Sequence, residues 1–314
     1  MIEYRNCQVN YYSDEVEAVL KLLGNTFGVE EEILERRQFS GIESLFNNDY
    51  LFTAWEDGKL LGNIHLTMNI KNKAFGILGG LVTVPESRGK GVATKLFGDA
   101  CEQFDSLGGK LLLLGTSNLM AARMYEKFGF RFITGTAIMA RAKDSSLFDF
   151  CKNLYAEKEY QILEMDDGCR VPIIPLITAR GRDILMDANA NIINNLYVTQ
   201  ISCTGLYPRF LKIKEGGKVL VAKLNNQGVC AMLTEKINGD THNLDCFAHV
   251  GFEHVLPEML EKTIKKNTKY SAIICKKDLE KLELFKTFGF VEEREYDYEF
   301  NNIHFPCTYC EKKN

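Results

Sequence analysis

The chain has 314 residues, 46% apolar and 25% charged, a globular composition too long for one average domain and suited to two of roughly 150 residues each. Lysine plus arginine number 38 against 42 aspartates and glutamates, a net charge of −4, so no nucleic-acid or membrane-surface partner is expected from bulk charge. No apolar run approaches the ~18 residues of a membrane span, and Met1–Cys7 lacks the apolar core of a signal peptide, so a cytoplasmic protein is expected.

Ile2 to Val9 alternates weakly and reads as a first strand. Ser13-Asp-Glu-Val opens a helix with Val16, Val19, Leu20 and Leu23 on one face, and Gly24 is positioned to end it. Glu30 to Phe46 reads as a second, less regular helix. Leu51–Trp55 and Leu60–Ile70 flank Asp57-Gly58, the pair favoured in tight hairpin turns. Phe75 to Val84 is a further strand. A helix from Val92 to about Leu107 follows, with Val92, Leu96, Ala100 and Phe104 on one face. Lys110–Thr116, with four consecutive leucines, reads as a buried strand. Ser117 or Asn118 then caps a helix over Ala121–Phe128, and Arg131–Ala140 is a last strand or hairpin arm. Asp144–Glu159 is amphipathic and reads as a connecting helix. Asp166–Arg170 with Pro172 and Pro175 reads as a boundary loop.

The second half repeats part of the first. Residues 111–130 align without gaps on 271–290, each an apolar strand, a polar cap and a helix ending in Phe-Gly-Phe. Upstream, Val219–Leu224 and Val229–Lys236 mimic the hairpin. His242–Val250 stands for the strand after it, and Glu253–Ile264 for the next helix. A duplicated domain explains a repeat of this length. The expected fold is mixed α/β: a central mixed sheet flanked by helices, duplicated in tandem. The expected domains are 1–142 and 161–314, with 143–160 connecting them.

The chemistry concentrates in Leu81-Val-Thr-Val-Pro-Glu-Ser-Arg-Gly-Lys-Gly-Val-Ala-Thr-Lys-Leu96. Pro85 stops the strand because it lacks an N–H. Gly89 and Gly91 permit backbone angles that a Cβ opposes. The free N–H groups of the following helix start form an anion site, with Arg88, Lys90 and Lys95 adding charge, so a diphosphate is the expected ligand. In the second copy this stretch reads His249-Val-Gly-Phe-Glu-His-Val-Leu256. The paired glycines and basic residues are gone, and Glu253 repels an anion, so no diphosphate is expected there.

Arg88-Gly-Lys-Gly-Val-Ala93, after a strand ending Val-Thr-Val-Pro, resembles the acyl-CoA signature of the GNAT superfamily of N-acyltransferases. Asn118, Ala121, Tyr125 and Phe128-Gly-Phe130 resemble that family's second signature. The resemblance is direct for residues 1–142 and faint for 160–300, so the chain resembles a tandem GNAT protein with a degenerate second copy. It implies that Gly89, Lys90, Gly91, Val92, Ala93 and Thr94 hold the CoA pyrophosphate through backbone N–H groups, with Arg88 beside them. It further implies that Val82, Thr83 and Val84 carry the pantetheine arm, the backbone of Val82 and Val84 pairing with it and a main-chain donor near Val82 polarising the acyl carbonyl. Asn118 contacts the arm and Tyr125 protonates the departing thiolate.

The implied reaction is acetyl transfer from acetyl-CoA to a primary amine of a small molecule or peptide by direct attack, without a metal. A monomer or homodimer is expected. The general base is not evident. Residues 75–84 contain no carboxylate, and His65, in Asn63-Ile-His-Leu-Thr, is the candidate. The missing carboxylate keeps open a non-catalytic CoA-binding sensor or scaffold; transfer of a longer acyl group is the other alternative. Ten cysteines are scattered as in a reduced protein. Cys307-Thr-Tyr-Cys310 lacks the second pair that a zinc site needs.

Overall fold

The computed structural model describes residues 1–9, 12–179, 184–195 and 203–312. The chain forms two units. The first comprises Met1–Phe132 and Ile138–Phe150, joined by a short later piece that includes Thr204; the second comprises most of the rest.

In the first unit the order is β1 (Glu3–Val9), α1 (Asp14–Phe27), α2 (Val29–Phe39), β2 (Asn47–Glu56), β3 (Lys59–Asn69), β4 (Phe75–Thr83), α3 (Val92–Ser106), β5 (Leu111–Gly115), α4 (Leu119–Glu126), β6 (Arg131–Phe132) and β7 (Ile138–Ala142). The strands form one sheet in the order β1-β2-β3-β4-β5-β7-β6. All neighbours are antiparallel except β4 and β5.

Local chemistry accounts for these elements. The Ser13 hydroxyl accepts the Val16 N–H and starts α1. Gly24 does not end α1, as its sequence position suggested. The helix continues to Phe27, and Gly28, at φ +103°, makes the exit that an L side chain disfavours. The second helix is shorter than its pattern and stops at Phe39. Asp57 and Gly58 both have positive φ, as a type I′ turn requires. The two faces of the sheet are covered separately. Phe52, Ile64, Leu66, Leu78, Leu96, Phe97, Phe104 and Phe130 pack on the α3/α4 side. Val16, Leu20, Leu23, Phe39, Leu51 and Val82 pack on the α1/α2 side.

Leu78 and Val82 are four residues apart on β4, yet they face opposite cores. The register explains this. His65 pairs with Gly79 and Asn63 with Val82, so β4 spends one extra residue in a bulge at Gly80-Leu81. Gly80 takes φ +60° there, and its carbonyl accepts the Asn63 Nδ2 at 2.7 Å.

Helix α5 (Leu147–Leu154) follows, within the stretch read as the connecting helix. The second unit contains β8 (Tyr160–Glu164), α6 (Ile173–Thr178), β9 (Ile184–Asp187), β10 (Ile192–Asn195), α7 (Leu206–Lys214), β11 (Lys218–Leu224), β12 (Val229–Asn238), β13 (Thr241–Ala248), α8 (Val255–Thr263), β14 (Lys269–Cys275), α9 (Leu279–Thr287), β15 (Phe290–Phe300) and β16 (Ile303–Lys312). Its main sheet runs β8-β11-β12-β13-β14-β16-β15. Only β13 and β14 are parallel. The two sheets therefore repeat one topology, including the exchange of the last two strands. The Pro172–Pro175 stretch is not a loop but the buried start of α6. Its prolines fall where the first N–H groups have no helical partner to lose.

Cys307 and Cys310 lie three residues apart on β16, so their side chains point to opposite faces. They oppose Cys275 and Ala272 respectively. Among the described residues no group of three or more potential metal ligands occurs, and no helix is long and apolar enough to cross a membrane.

Candidate active site

β4 and β5 pair only at Phe75–Leu111, Gly76–Leu112 and Ile77–Leu113. Beyond Ile77 the two strands part, and a cavity of about 320 Å3 opens in the gap. Leu78–Leu81 line one side and Leu114–Asn118 the other. Phe97, Ala121 and Tyr125 close the α3/α4 side, and Phe27 and Thr204 also line it. The parted strands leave one edge of β4 with peptide groups that lack a strand partner.

Which peptide groups face that edge follows from β3. The Val84 N–H donates to the Leu61 carbonyl at 2.9 Å, so Val84 is turned toward β3. In an antiparallel pair these groups alternate, so Val82 also faces β3, whereas Leu81 and Thr83 face the gap. This moves the expected backbone pairing from Val82 and Val84 to Leu81 and Thr83. The Thr83 carbonyl already accepts the exposed Arg88 Nε at 3.3 Å.

After Thr83 the chain makes a single 3₁₀ turn over Pro85–Ser87 and enters the glycine loop. Gly89 and Gly91 have φ of +79° and +81°. A Cβ built on either meets nothing within 4 Å, so the glycines serve conformation and ligand approach and relieve no internal crowding. Among the described residues, the N–H groups of Gly89, Gly91, Val92, Ala93 and Thr94 have no acceptor. Together with the start of the 15-residue helix α3 they form a cradle for an anion. Arg88 and Lys90 are exposed beside it. Lys95 pairs with Asp99 and lies over the Tyr4 ring, so it adds less to the cradle than its sequence position suggested.

Asn118 caps α4. Its Oδ1 accepts the Met120 and Ala121 N–H groups at 3.0 and 3.2 Å, which leaves its amide nitrogen for a ligand. Tyr125 is buried and stacks on Phe97 with ring centroids 4.6 Å apart. Phe128 and Phe130 pack edge-on against the same Phe97. Burial pushes the Tyr125 phenol up to about 12.

His65 lies on the opposite side of β4. It is fully buried and set edge-on to Phe39. Its Nδ1 is 3.3 Å from a carboxylate oxygen of Glu35, a buried residue of α2. The imidazole occupies the space left by two glycines. A Cβ on Gly79 would stand 2.5 Å from its Cε1 and 2.8 Å from its Nε2, and one on Gly80 3.2 Å from its Nδ1. Glu35 escaped the sequence reading because α2 has almost no amphipathic pattern. Its one signal is a carboxylate a helical turn from Phe39, which no spacing rule ties to β3.

The first unit thus has a mixed sheet parted at its parallel step, with a glycine-rich helix start beside the gap. Residues 16–130 match the Acetyltransferase (GNAT) family. Similar solved structures include an acyl-CoA N-acyltransferase from Pseudomonas aeruginosa (21% identity, 45% of this chain and 100% of that one, TM-score 0.37). ElaA from Escherichia coli has 21% identity over 45% of this chain and 99% of that one, with a TM-score of 0.38. A chimera of the spermidine N-acetyltransferase SpeG from Vibrio cholerae and hSSAT has 14% identity over 49% and 96%, with a TM-score of 0.35. No curated protein matches the sequence.

Proposed function

We propose that the first unit transfers an acetyl group from acetyl-CoA to a primary amine of a small molecule or peptide, and that the second unit is a degenerate copy without CoA chemistry. The observation that carries this reading is the coincidence, at the gap between β4 and β5, of a free N–H cradle, an unpaired strand edge and a buried tyrosine. The pyrophosphate of CoA lies on Gly89–Thr94, flanked by Arg88 and Lys90. The pantetheine arm extends along β4 at Leu81 and Thr83, with the Asn118 amide on its other side. The acyl carbonyl accepts a main-chain N–H at the Gly80-Leu81 bulge.

The amine enters from the His65 side. Its nitrogen bonds to the acyl carbon, and a tetrahedral intermediate forms. His65 is buried and does not itself line the cavity, so it takes the amine proton through water, with Glu35 holding the ring and stabilising its positive charge. The carbon–sulfur bond then breaks toward Tyr125, which donates its hydroxyl hydrogen bond to the departing sulfur. A phenol near 12 gives its proton to a thiolate near 8.5 only uphill, by about 5 kcal/mol. Tyr125 therefore acts first as a hydrogen-bond donor that lowers the charge on sulfur, and proton transfer completes as the thiol leaves.

Release of CoA thiol with acetyl-CoA and a panel of primary amines tests the proposal. Turnover with at least one amine, lost in Tyr125→Phe, supports it. CoA binding without turnover on any amine makes the domain a sensor or scaffold. Equal turnover with hexanoyl-CoA assigns it a longer acyl group.

A further inference from the structure

The second unit has a cleft of its own. A cavity of about 450 Å3 lies between α8, α9 and the C-terminal end of β13, a volume typical of small-molecule sites. β13 and β14 pair only from Thr241–Lys269 to Asn243–Ser271, so this cleft stands where the first unit keeps its own. Leu185, Phe247, Leu256 and Leu284 give it apolar walls.

Its lining carries charged side chains, which that of the first cleft does not. Glu253 accepts the Gly251 N–H at 2.8 Å just before α8, and Asp278 accepts the Lys281 N–H at 3.1 Å at the start of α9. The start of α9 is thus already served by a carboxylate of the chain itself, whereas Glu253 serves the turn before α8. Glu280 and Glu283 add two more acidic side chains to the lining. The one lysine of the lining, Lys281, is buried, and its ammonium is held by Asp245 at 2.8 Å and by the Met186 carbonyl at 2.7 Å. An anion entering here meets four carboxylates, of which Glu283 is paired with Lys286 at 3.0 Å, and a lysine that is already balanced. An apolar body bearing one positive charge meets complementary walls and a complementary rim.

We propose that this cleft is a second ligand site, specific for hydrophobic amines in their protonated form. Calorimetric titration of the full chain with n-octylammonium, n-octanol and octanoate, without acetyl-CoA, tests it. Octylammonium is expected to bind at least tenfold more tightly than octanol, and octanoate least. Leu284→Trp fills the cavity and removes this binding event. The joint substitution Glu253→Gln, Glu280→Gln and Glu283→Gln brings octylammonium to the level of octanol. These changes lie at the rim, so the triple variant carries the test if Leu284→Trp fails to fold.

Amines are also the acceptors proposed for the first unit, and the two readings separate cleanly. Leu284→Trp leaves acetyl-CoA turnover unchanged, and the titration requires no turnover. Octanoate binding as tightly as octylammonium, or octylammonium binding with undiminished stoichiometry in Leu284→Trp, overturns the proposal.

Discussion

Tyr125 keeps its proton at any working pH because its ring is packed on Phe97 away from water. Removing the hydroxyl alone leaves that packing in place. Tyr125→Phe is therefore expected to lower kcat by about 10²-fold, with the KM for acetyl-CoA unchanged, as steady-state thiol release would report. Glu35 never reaches the cavity lining, so its part is positioning. Glu35→Gln should reduce kcat by about tenfold and alter the pH profile of kcat/KM, whereas binding of acetyl-CoA by calorimetry stays as it was. A change in melting temperature with an unaltered pH profile would make the Glu35–His65 pair structural only. That Tyr125 and Asn118 lie at one cavity was legible in the sequence, because both sit in one short, spaced signature. Glu35 was not, because a pair between helix and strand leaves no local pattern.

At the level of the element, the bulge in β4 decides what stands on either side of the gap. It turns Val82 toward the α1/α2 core and leaves Gly79 and Gly80 beneath the His65 ring. Gly79→Ala puts a methyl against that ring at a backbone position that cannot retreat. A loss of about 1–3 kcal/mol in urea unfolding and loss of turnover are expected, with acetyl-CoA affinity retained. Gly91→Ala acts differently. Its Cβ meets nothing, but φ +81° strains any L residue, and it narrows the anion cradle. Acetyl-CoA affinity should fall while global stability changes by only about 1 kcal/mol. The glycine loop was readable because strand, proline, paired glycines and helix follow in sequence. The bulge was less so. Gly79-Gly80 marked it, yet the register that shifted the edge from Val82 and Val84 to Leu81 and Thr83 depends on how β3 pairs.

Across the whole molecule, two sheets of one topology have been used in opposite ways. The repeat aligns Leu111 with Ser271, and their partners Phe75 and Asn243 with each other, so Asp245 of β13 stands at the place of Ile77 of β4. Where the first unit buries an apolar side chain, the second inserts a carboxylate that holds the buried Lys281. Close by, Asp187 accepts the Thr234 hydroxyl and the Ala190 N–H, and burial, with the charge of Asp245 second, raises it to about 7. A carboxyl raised above its unfolded value holds its proton in the folded state between about pH 4 and pH 7, where the unfolded chain has released it. Stability of the second unit should therefore fall as pH rises through that window and level off above it. Asp187→Asn should flatten the urea midpoint between pH 5 and 8.

The repeat of residues 111–130 at 271–290 made the second fold legible, because its strand and helix α9 retain the pattern. The buried ion pair was not legible, since neither Asp245 nor Lys281 departs from what an exposed strand or helix position would carry.

The central proposal is that the first unit is a working transferase whose acyl-CoA site is the gap between β4 and β5. Steady-state release of CoA thiol from acetyl-CoA across a panel of primary amines, with the wild-type chain beside Tyr125→Phe, addresses it most directly. The account predicts turnover with at least one amine and its loss in the variant at unchanged acetyl-CoA affinity. Saturable acetyl-CoA binding with no turnover on any amine, or turnover that is indifferent to Tyr125→Phe, would contradict it.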